Sequence, residues 1–192
     1  QWLTSTSADA IREAIPAEGR LAYLPLTEGT GNNVVGTGDV GEIKVIGNGN
    51  LEWREDGKLG PAIQLKSGST LEAGALGDFA LDQPFSHSEW IRTSNPGQHA
   101  SPIARMDEKN KHRGWDLFIM GGRLAMHLIE SWPENAIKVS TTGNVISKDT
   151  WHHVCVTWDG SGKPEGVTIY VDGKRQPTRI DTNTIQANAD IH

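Results

Sequence analysis

The stretch that decides the fold reads WHHVCVTWDGSGK over residues 151–163 and GVTIYVDG over residues 166–173. In its first part, Val154, Val156 and Trp158 fall on alternate positions. A period of two places these side chains on one face of an extended strand and their neighbours on the other. The stretch therefore predicts two consecutive β-strands with apolar inner faces.

The same pattern extends outward from this stretch. Asp172-Gly173 separates residues 167–171 from residues 174–176, and Gly121-Gly122 separates residues 115–120 from residues 123–129. Two-residue turns with these residues are typical of β-hairpins. Further strands are predicted at residues 21–26, 42–46, 51–55, 62–66, 70–73 and 85–93. Turn signals at intervals of about 8 to 12 residues indicate an antiparallel all-β sandwich or barrel.

One helical signal precedes the strands. Ser7 can cap a short helix that contains Ala10, Ile11 and Ala14, and Pro16 ends it. We therefore predict a lead-in segment with a short N-terminal helix over residues 1–20, followed by one β-domain over residues 21–192.

Composition excludes several classes of partner. The formal net charge is −6, and no basic stretch is longer than two residues, which argues against nucleic acid and anionic membranes as partners. No apolar run approaches the ~20 residues that span a bilayer. The sequence starts at Gln1 without the features of a signal peptide, so we expect a processed or excised segment.

Cys155 is the single cysteine of the chain. One cysteine excludes an internal disulfide, a zinc ribbon and c-type haem attachment within this segment. Because Cys155 lies inside an apolar strand, we expect an inert buried thiol.

The pattern of residues 151–173 resembles the laminin-G-like, concanavalin A-like lectin/glucanase superfamily, where such a motif marks two consecutive strands of a jelly roll. This resemblance implies an antiparallel jelly-roll β-sandwich. It also implies a recognition module that binds carbohydrate.

A narrower resemblance rests on residues 82–86 (DQPFS), 104–107 (ARMD), 113–117 (RGWDL), 127–129 (HLI) and 132–139 (WPENAIKV). These segments are similar to the lectin-like insert of large planctomycete multidomain proteins, in which cytochrome-c-like domains flank the module. The resemblance implies an extracytoplasmic location (periplasmic, cell-surface or secreted), with a glycan or polysaccharide and the neighbouring domains of the parent chain as partners.

The chain departs from the superfamily at its end. The two closing strands that normally pair beside the first strand have no counterpart before His192. Residues 21–26 would then lack a neighbour, and an unpaired edge favours aggregation. We therefore expect the segment to be truncated or its end to be unresolved.

Enzymatic activity is not expected. Glucan-cleaving relatives carry the string Glu-x-Asp-x-x-Glu on one strand, so that two carboxylates lie about 5–5.5 Å apart, and no such string occurs here. His152 and His153 are adjacent and would point to opposite faces of a strand. His127 and His153 are interpreted as ordinary strand residues rather than metal ligands.

Calcium is a candidate cofactor of one loop. Asp107, Glu108 and Asn110 supply the hard oxygen ligands that Ca²⁺ prefers. Asp159 and Asp172, in contrast, begin Asp-Gly turns, where a carboxylate usually accepts a hydrogen bond from its own backbone.

The candidate ligand-binding residues lie on loops between the central strands. They are Trp132, Asn135, Arg113 and Glu134, an indole on which a sugar ring can stack and polar groups that can bond its hydroxyls. Trp115 alternates with Leu117 and Ile119, so we predict that it is buried. The alternative function is a structural or docking module for protein or interdomain contacts, which would expose a contiguous apolar patch.

Overall fold

The computed structural model describes residues 7–39, 41–49 and 51–192. The chain divides into two compact units, one up to Leu76 and one from Gly77 to His192. The domain boundary predicted after residue 20 stays a prediction. Within the described ranges, we find no α-helix with the length and hydropathy of a transmembrane span.

The described residues are nearly all β, with one short α-helix, α1, at Ala8–Glu13. The strands are β1 Asn33–Gly38, β2 Gly41–Asn48, β3 Glu52–Arg54, β4 Ala62–Gln64, β5 Thr70–Glu72, β6 Phe85–Ile91, β7 Ala100–Asp107, β8 Arg113–Met120, β9 Arg123–Ser131, β10 Asn135–Thr141, β11 His152–Trp158, β12 Val167–Val171, β13 Lys174–Arg175 and β14 Thr178–Asn183. A 3-10 helix at Pro164–Gly166 precedes β12.

The first unit contains the predicted N-terminal helix. The Ser7 hydroxyl accepts a hydrogen bond from the Ala10 backbone N–H, which satisfies one of the free donors at the helix start. Strands β1, β2 and β5 form an antiparallel sheet, and β3 pairs with β4. The core of this unit is built around Val34, Ile43 and Val45.

The predicted first strand at residues 21–26 is wrong. Only Tyr23 makes a β-bridge there, to Thr37. Pro25 has no N–H to donate to a ladder, and Leu26 has a φ of 54°, which takes the chain out of extended geometry.

The second unit is an antiparallel β-sandwich of two sheets, as predicted. Its five-stranded sheet has the order β14-β10-β9-β8-β7, and its four-stranded sheet has the order β13-β12-β11-β6. Apolar side chains from both sheets form one core, with Leu117, Met126 and Leu128 from the first and Val154 and Ile169 from the second. The alternating valines of β11 are fully buried, as the period of two predicts.

Both predicted hairpins are confirmed. Met120 pairs with Arg123 around Gly121-Gly122, whose φ values are 61° and 79°. Val171 pairs with Lys174 around Asp172-Gly173. Positive φ at both turn positions gives the turn a twist that matches the strands it joins.

Two buried tryptophans complete the core of the sandwich. The Trp158 indole N–H donates to the Leu81 carbonyl at 2.8 Å, and the Trp115 indole N–H donates to the Gly77 carbonyl at 2.8 Å. Trp115 is 4% exposed, which confirms its predicted burial. Each indole therefore gains apolar contact without leaving its polar group unsatisfied.

Candidate ligand-binding face

The outer face of the five-stranded sheet carries a row of mostly polar side chains. Strand register aligns Ala104, Asp116, His127, Lys138 and Thr182 across all five strands. Their neighbours in sequence on the three central strands belong to the core. Because successive side chains alternate between faces, the row points away from the core.

Asp116 and His127 form a buried pair at the centre of this row. Asp116 Oδ1 lies 2.6 Å from His127 Nδ1, and the Ser101 hydroxyl donates to Asp116 Oδ2 at 2.8 Å. The side chains of Asp116 and His127 are only 5% and 10% exposed. Since a carboxylate can only accept, Nδ1 carries the hydrogen. In the neutral ring, Nε2 is then a free acceptor, with no hydrogen-bond partner among the described residues.

Aromatic rings flank this imidazole on both sides. The ring centroids of Phe118 and His127 lie 5.7 Å apart, and those of His127 and Trp132 lie 5.4 Å apart in an edge-on arrangement. His99 extends the series at 5.3 Å from Phe118. Trp132 and Phe118 are half-buried, so both residues are partly accessible to solvent. Apolar rings around a few fixed polar groups are typical of small-ligand sites.

A basic side chain adjoins the rings. Lys138 Nζ lies 5.9 Å from the Trp132 ring centroid and 3.9 Å from Met120 Sδ. Lys138 makes no ion pair within the described ranges. We name this surface, formed by Asp116, Phe118, His127, Trp132 and Lys138, the ring face.

The predicted ligand residues separate into two groups. Trp132 lies in the turn between β9 and β10 and contributes to the ring face, and Glu134 is exposed in the same turn. Arg113 and Asn135 instead hold the segment that follows β14. Arg113 pairs with Asp190 at 3.0 Å, and the Asn135 side-chain carbonyl accepts the Gln186 backbone N–H at 2.7 Å.

Glu130 connects the contacts that Arg113 and Asn135 make with the segment after β14. One of its carboxylate oxygens, Oε2, accepts from the Asn135 side-chain amide at 2.8 Å and from the Asp190 backbone N–H at 3.1 Å. The same segment places Ala189 and Ile191 in the core. The polar atoms of Arg113 and Asn135 therefore stabilise the sandwich, and a direct contact from them to a ligand stays a prediction.

The candidate calcium loop does not gather acidic ligands around one point. Asp107 Oδ1 accepts the backbone N–H groups of Lys109 and Asn110 at 3.1 and 3.3 Å, so it closes its own turn. Among the described residues, no group of three or more His, Cys, Asp or Glu side chains is arranged to hold a metal ion. The calcium site at Asp107, Glu108 and Asn110 stays a prediction.

The aspartates of the two Asp-Gly turns, Asp159 and Asp172, have different hydrogen-bond partners. Asp159 Oδ1 accepts the Ser161 backbone N–H at 2.8 Å, as predicted. A hydrogen bond from the Ser161 side chain, and after it this backbone bond, lowers the pKa of Asp159. The prediction for Asp172 is wrong, because its carboxylate reaches across to β11. There it accepts the His153 backbone N–H at 3.0 Å and lies 2.8 Å from His152 Nδ1.

Cys155 lies on the outer side of the other sheet and is half-buried rather than fully buried. Burial, with a smaller contribution from the Glu89 charge, raises the pKa of the Cys155 thiol. Burial also lowers the pKa of the neighbouring His153. A raised thiol pKa leaves little reactive thiolate at neutral pH, in keeping with an inert cysteine.

Sequence reasoning missed most of the ring face. Asp116 and His127 are polar residues on strands whose other residues are largely apolar, and a buried polar residue is more informative than an exposed apolar one. That signal was available in the sequence. Their pairing depends on strand register, and Lys138 was not placed because β10 was not predicted.

Comparisons with known proteins agree with this architecture. The family described as the concanavalin A-like lectin/glucanases superfamily matches residues 65–191. No curated protein matches the chain.

Several solved structures share the fold. The binding domain of botulinum neurotoxin DC in complex with rat synaptotagmin II has a TM-score of 0.58 at 17% identity, over 92% of this chain and 42% of that one. The same domain in complex with SialylT has a TM-score of 0.56 at 17% identity, over 92% and 42%. A structure of botulinum neurotoxin type C, whose cell entry is dependent upon interaction with two ganglioside molecules, has a TM-score of 0.53 at 18% identity, over 90% and 40%. The chain thus spans about two fifths of the length of these structures.

Proposed function

Because the chain belongs to the concanavalin A-like lectin/glucanase superfamily, we propose that it is a non-catalytic recognition module that binds carbohydrate through the ring face. The description of the family covers lectins as well as glucanases. A fold so widely reused does not name its ligand, so the proposal depends on the chemistry of the site.

The observation that carries the proposal is the half-buried Trp132 indole beside the fixed imidazole of His127, at 5.4 Å between ring centroids. An accessible indole offers an apolar platform to the C–H face of a sugar ring. His127 Nε2, left free by the bond from Nδ1 to Asp116, can accept a hydrogen bond from a sugar hydroxyl. Trp132 thus supplies the stacking surface, and the adjacent His127 supplies the hydrogen bond that orients the sugar.

The same geometry argues against hydrolysis. Glycosidases generally need two carboxyl groups across the scissile bond. The row across the sheet contains one carboxylate, Asp116, and both of its oxygens are engaged by His127 and Ser101. Asp116 therefore acts as a positioning residue for the imidazole.

Solved structures with this fold support recognition as the function. They include domains in complex with rat synaptotagmin II and with SialylT. We extend carbohydrate binding to this chain on the strength of its own ring face. The proposal also places the module in a larger extracytoplasmic protein, beside other domains of the parent chain, as the resemblance to planctomycete multidomain proteins implies.

Replacing Trp132 with Ala is expected to weaken binding of glycans retained by the wild-type chain at least about tenfold, or about 1.4 kcal/mol. The physical reason is the loss of the stacking surface beside His127. A glycan array screened with and without calcium identifies the ligands, and titration calorimetry measures the affinities of both proteins.

The matched control is Trp90→Ala, which removes a half-buried indole from the other sheet. Both variants must keep the wild-type circular dichroism spectrum. Unchanged glycan affinity in the Trp132→Ala protein would remove the ring face as the binding site.

The alternative docking function predicts a contiguous apolar patch, and the exposed Val35 and Ile46 on one face of the first unit are its best support. Val35 pairs with Lys44, and Ile46 lies between Asn33 and Glu72. Charged and polar neighbours therefore interrupt the apolar surface, and this arrangement favours carbohydrate over docking.

A further inference from the structure

We infer that the ring face is specific for acidic saccharides, with Lys138 pairing a carboxylate or sulfate group of the ligand while Trp132 stacks on the sugar ring. The inference rests on the proposed function, since it takes the ligand to be a carbohydrate. It further specifies the charge of that ligand and the residue that recognises this charge.

Lys138 is a cation that makes no ion pair with any described residue. An ammonium group has three donors, and Lys138 Nζ lies 3.9 Å from the Met120 thioether sulfur. A thioether sulfur is a weak acceptor and carries no charge. The aromatic contact at 5.9 Å from the Trp132 ring partly stabilises the cation. A half-buried ammonium in these surroundings favours an incoming anion.

Nearby acids are already engaged. Both oxygens of Asp116 are occupied by His127 and Ser101. Asp181 pairs with the Arg179 guanidinium at 2.9 Å. No carboxylate therefore forms an ion pair with Lys138 within the described residues, although the whole chain has a net charge of −6.

A second cation lies on the same face. Arg123 starts β9 and alternates with the buried Leu124, so it shares the outer side with His127. It makes no ion pair within the part of the chain that the structure describes. Four residues separate Arg123 from His127, the strand partner of Lys138, which corresponds to about 13 Å along the strand. Lys138 Nζ extends toward this end of the sheet, since it contacts the thioether of Met120, the strand partner of Arg123.

The test uses probes that differ only in charge. Oligogalacturonate of six sugars is compared with its fully methyl-esterified form, and a heparin hexasaccharide is compared with its desulfated form. We expect at least one acidic probe to bind about tenfold or more tightly than its uncharged or less charged counterpart, and added salt to weaken that binding. The two probe pairs distinguish carboxylate from sulfate recognition.

In the Lys138→Met variant, the preference for the acidic probe over its uncharged counterpart should fall to about twofold or less. The control is Lys174→Met, which removes an exposed lysine from β13 of the other sheet and should keep the full preference. A preference retained in Lys138→Met would overturn the inference.

The remaining outcomes separate the inference from the proposed function. Equal binding of each acidic probe and its counterpart, abolished by Trp132→Ala, would refute the acidic ligand and leave the carbohydrate site intact. Binding of none of the four saccharides, with binding of an oligoglutamate peptide, would refute the acidic saccharide in favour of an acidic protein partner. Binding of neither saccharides nor peptide would refute the acidic ligand, and the glycan array then decides the proposed function separately.

Discussion

Replacing Trp158 with Ala should lower the free energy of unfolding by about 3–5 kcal/mol. Trp158 is 2% exposed and is the largest fully buried side chain of the described residues. Its removal leaves a large cavity between the two sheets. It also leaves the Leu81 carbonyl without the indole N–H that it accepts at 2.8 Å. Urea denaturation measures the loss of unfolding free energy. An unchanged slope m in the variant shows that both proteins unfold in the same two-state transition.

Trp158→Phe is the graded control. Phenylalanine retains much of the buried apolar surface and removes the hydrogen bond, so we expect an intermediate loss of about 1–3 kcal/mol. A Trp158→Ala protein as stable as the wild type would show that this indole is not at the centre of the core.

Gly114→Ala is the second large effect that we expect, a loss of about 2–5 kcal/mol. Gly114 lies in β8 with a φ of 128°, a conformation that L-amino acids rarely adopt. A Cβ atom there would lie 1.9 Å from the Arg105 carbonyl oxygen and 2.8 Å from the Met106 Cα. Because these are backbone atoms of the neighbouring strand β7, the strand pairing itself must shift. Thermal and urea unfolding both measure the effect.

The matched control is Gly121→Ala in the β8-β9 turn. Gly121 also has a positive φ, 61°, but a Cβ atom there would meet nothing within 4 Å. The expected loss is about 1 kcal/mol, from backbone conformation alone. Equal losses in the two variants would contradict the steric explanation for Gly114.

The sequence was sufficient for the parts of the fold that depend on local pattern. Period-two valines in β11 and the Gly121-Gly122 and Asp172-Gly173 turns require only neighbours in sequence, and all are confirmed. The short helix after Ser7 also depends only on neighbouring residues in the sequence. Each of these features is determined by backbone preference and side-chain alternation within a few residues.

Strands without a clear apolar alternation were missed. β14, which reads TRIDTN, is almost wholly exposed, so no inner face marks it in the sequence. β10 buries residues on both faces and therefore lacks the simple alternation. Residues 21–26 show the opposite error, because their apolar residues pack against the core of the first unit without forming a ladder. Tertiary contacts decide these cases.

In the ring face, too, some features depend on local sequence and others on the pairing of distant strands. Trp132 was predicted as a ligand contact from its place in a turn, a local feature, and the structure places it beside His127. The row that joins Asp116, His127 and Lys138 depends on the register of three strands. A shift of one residue would turn these side chains into the core, and sequence alone does not fix that register. Long-range pairing therefore assembles the candidate site.

The most direct test of the account is a nuclear magnetic resonance titration of the tryptophan indole N–H signals with a glycan retained on the array. The chain has seven tryptophans, and the indole N–H groups of Trp115 and Trp158 are buried and bonded to carbonyls. We predict that the Trp132 signal shifts progressively to saturation while those of Trp115 and Trp158 stay in place. Saturable binding that leaves the Trp132 signal unmoved would contradict recognition through the ring face.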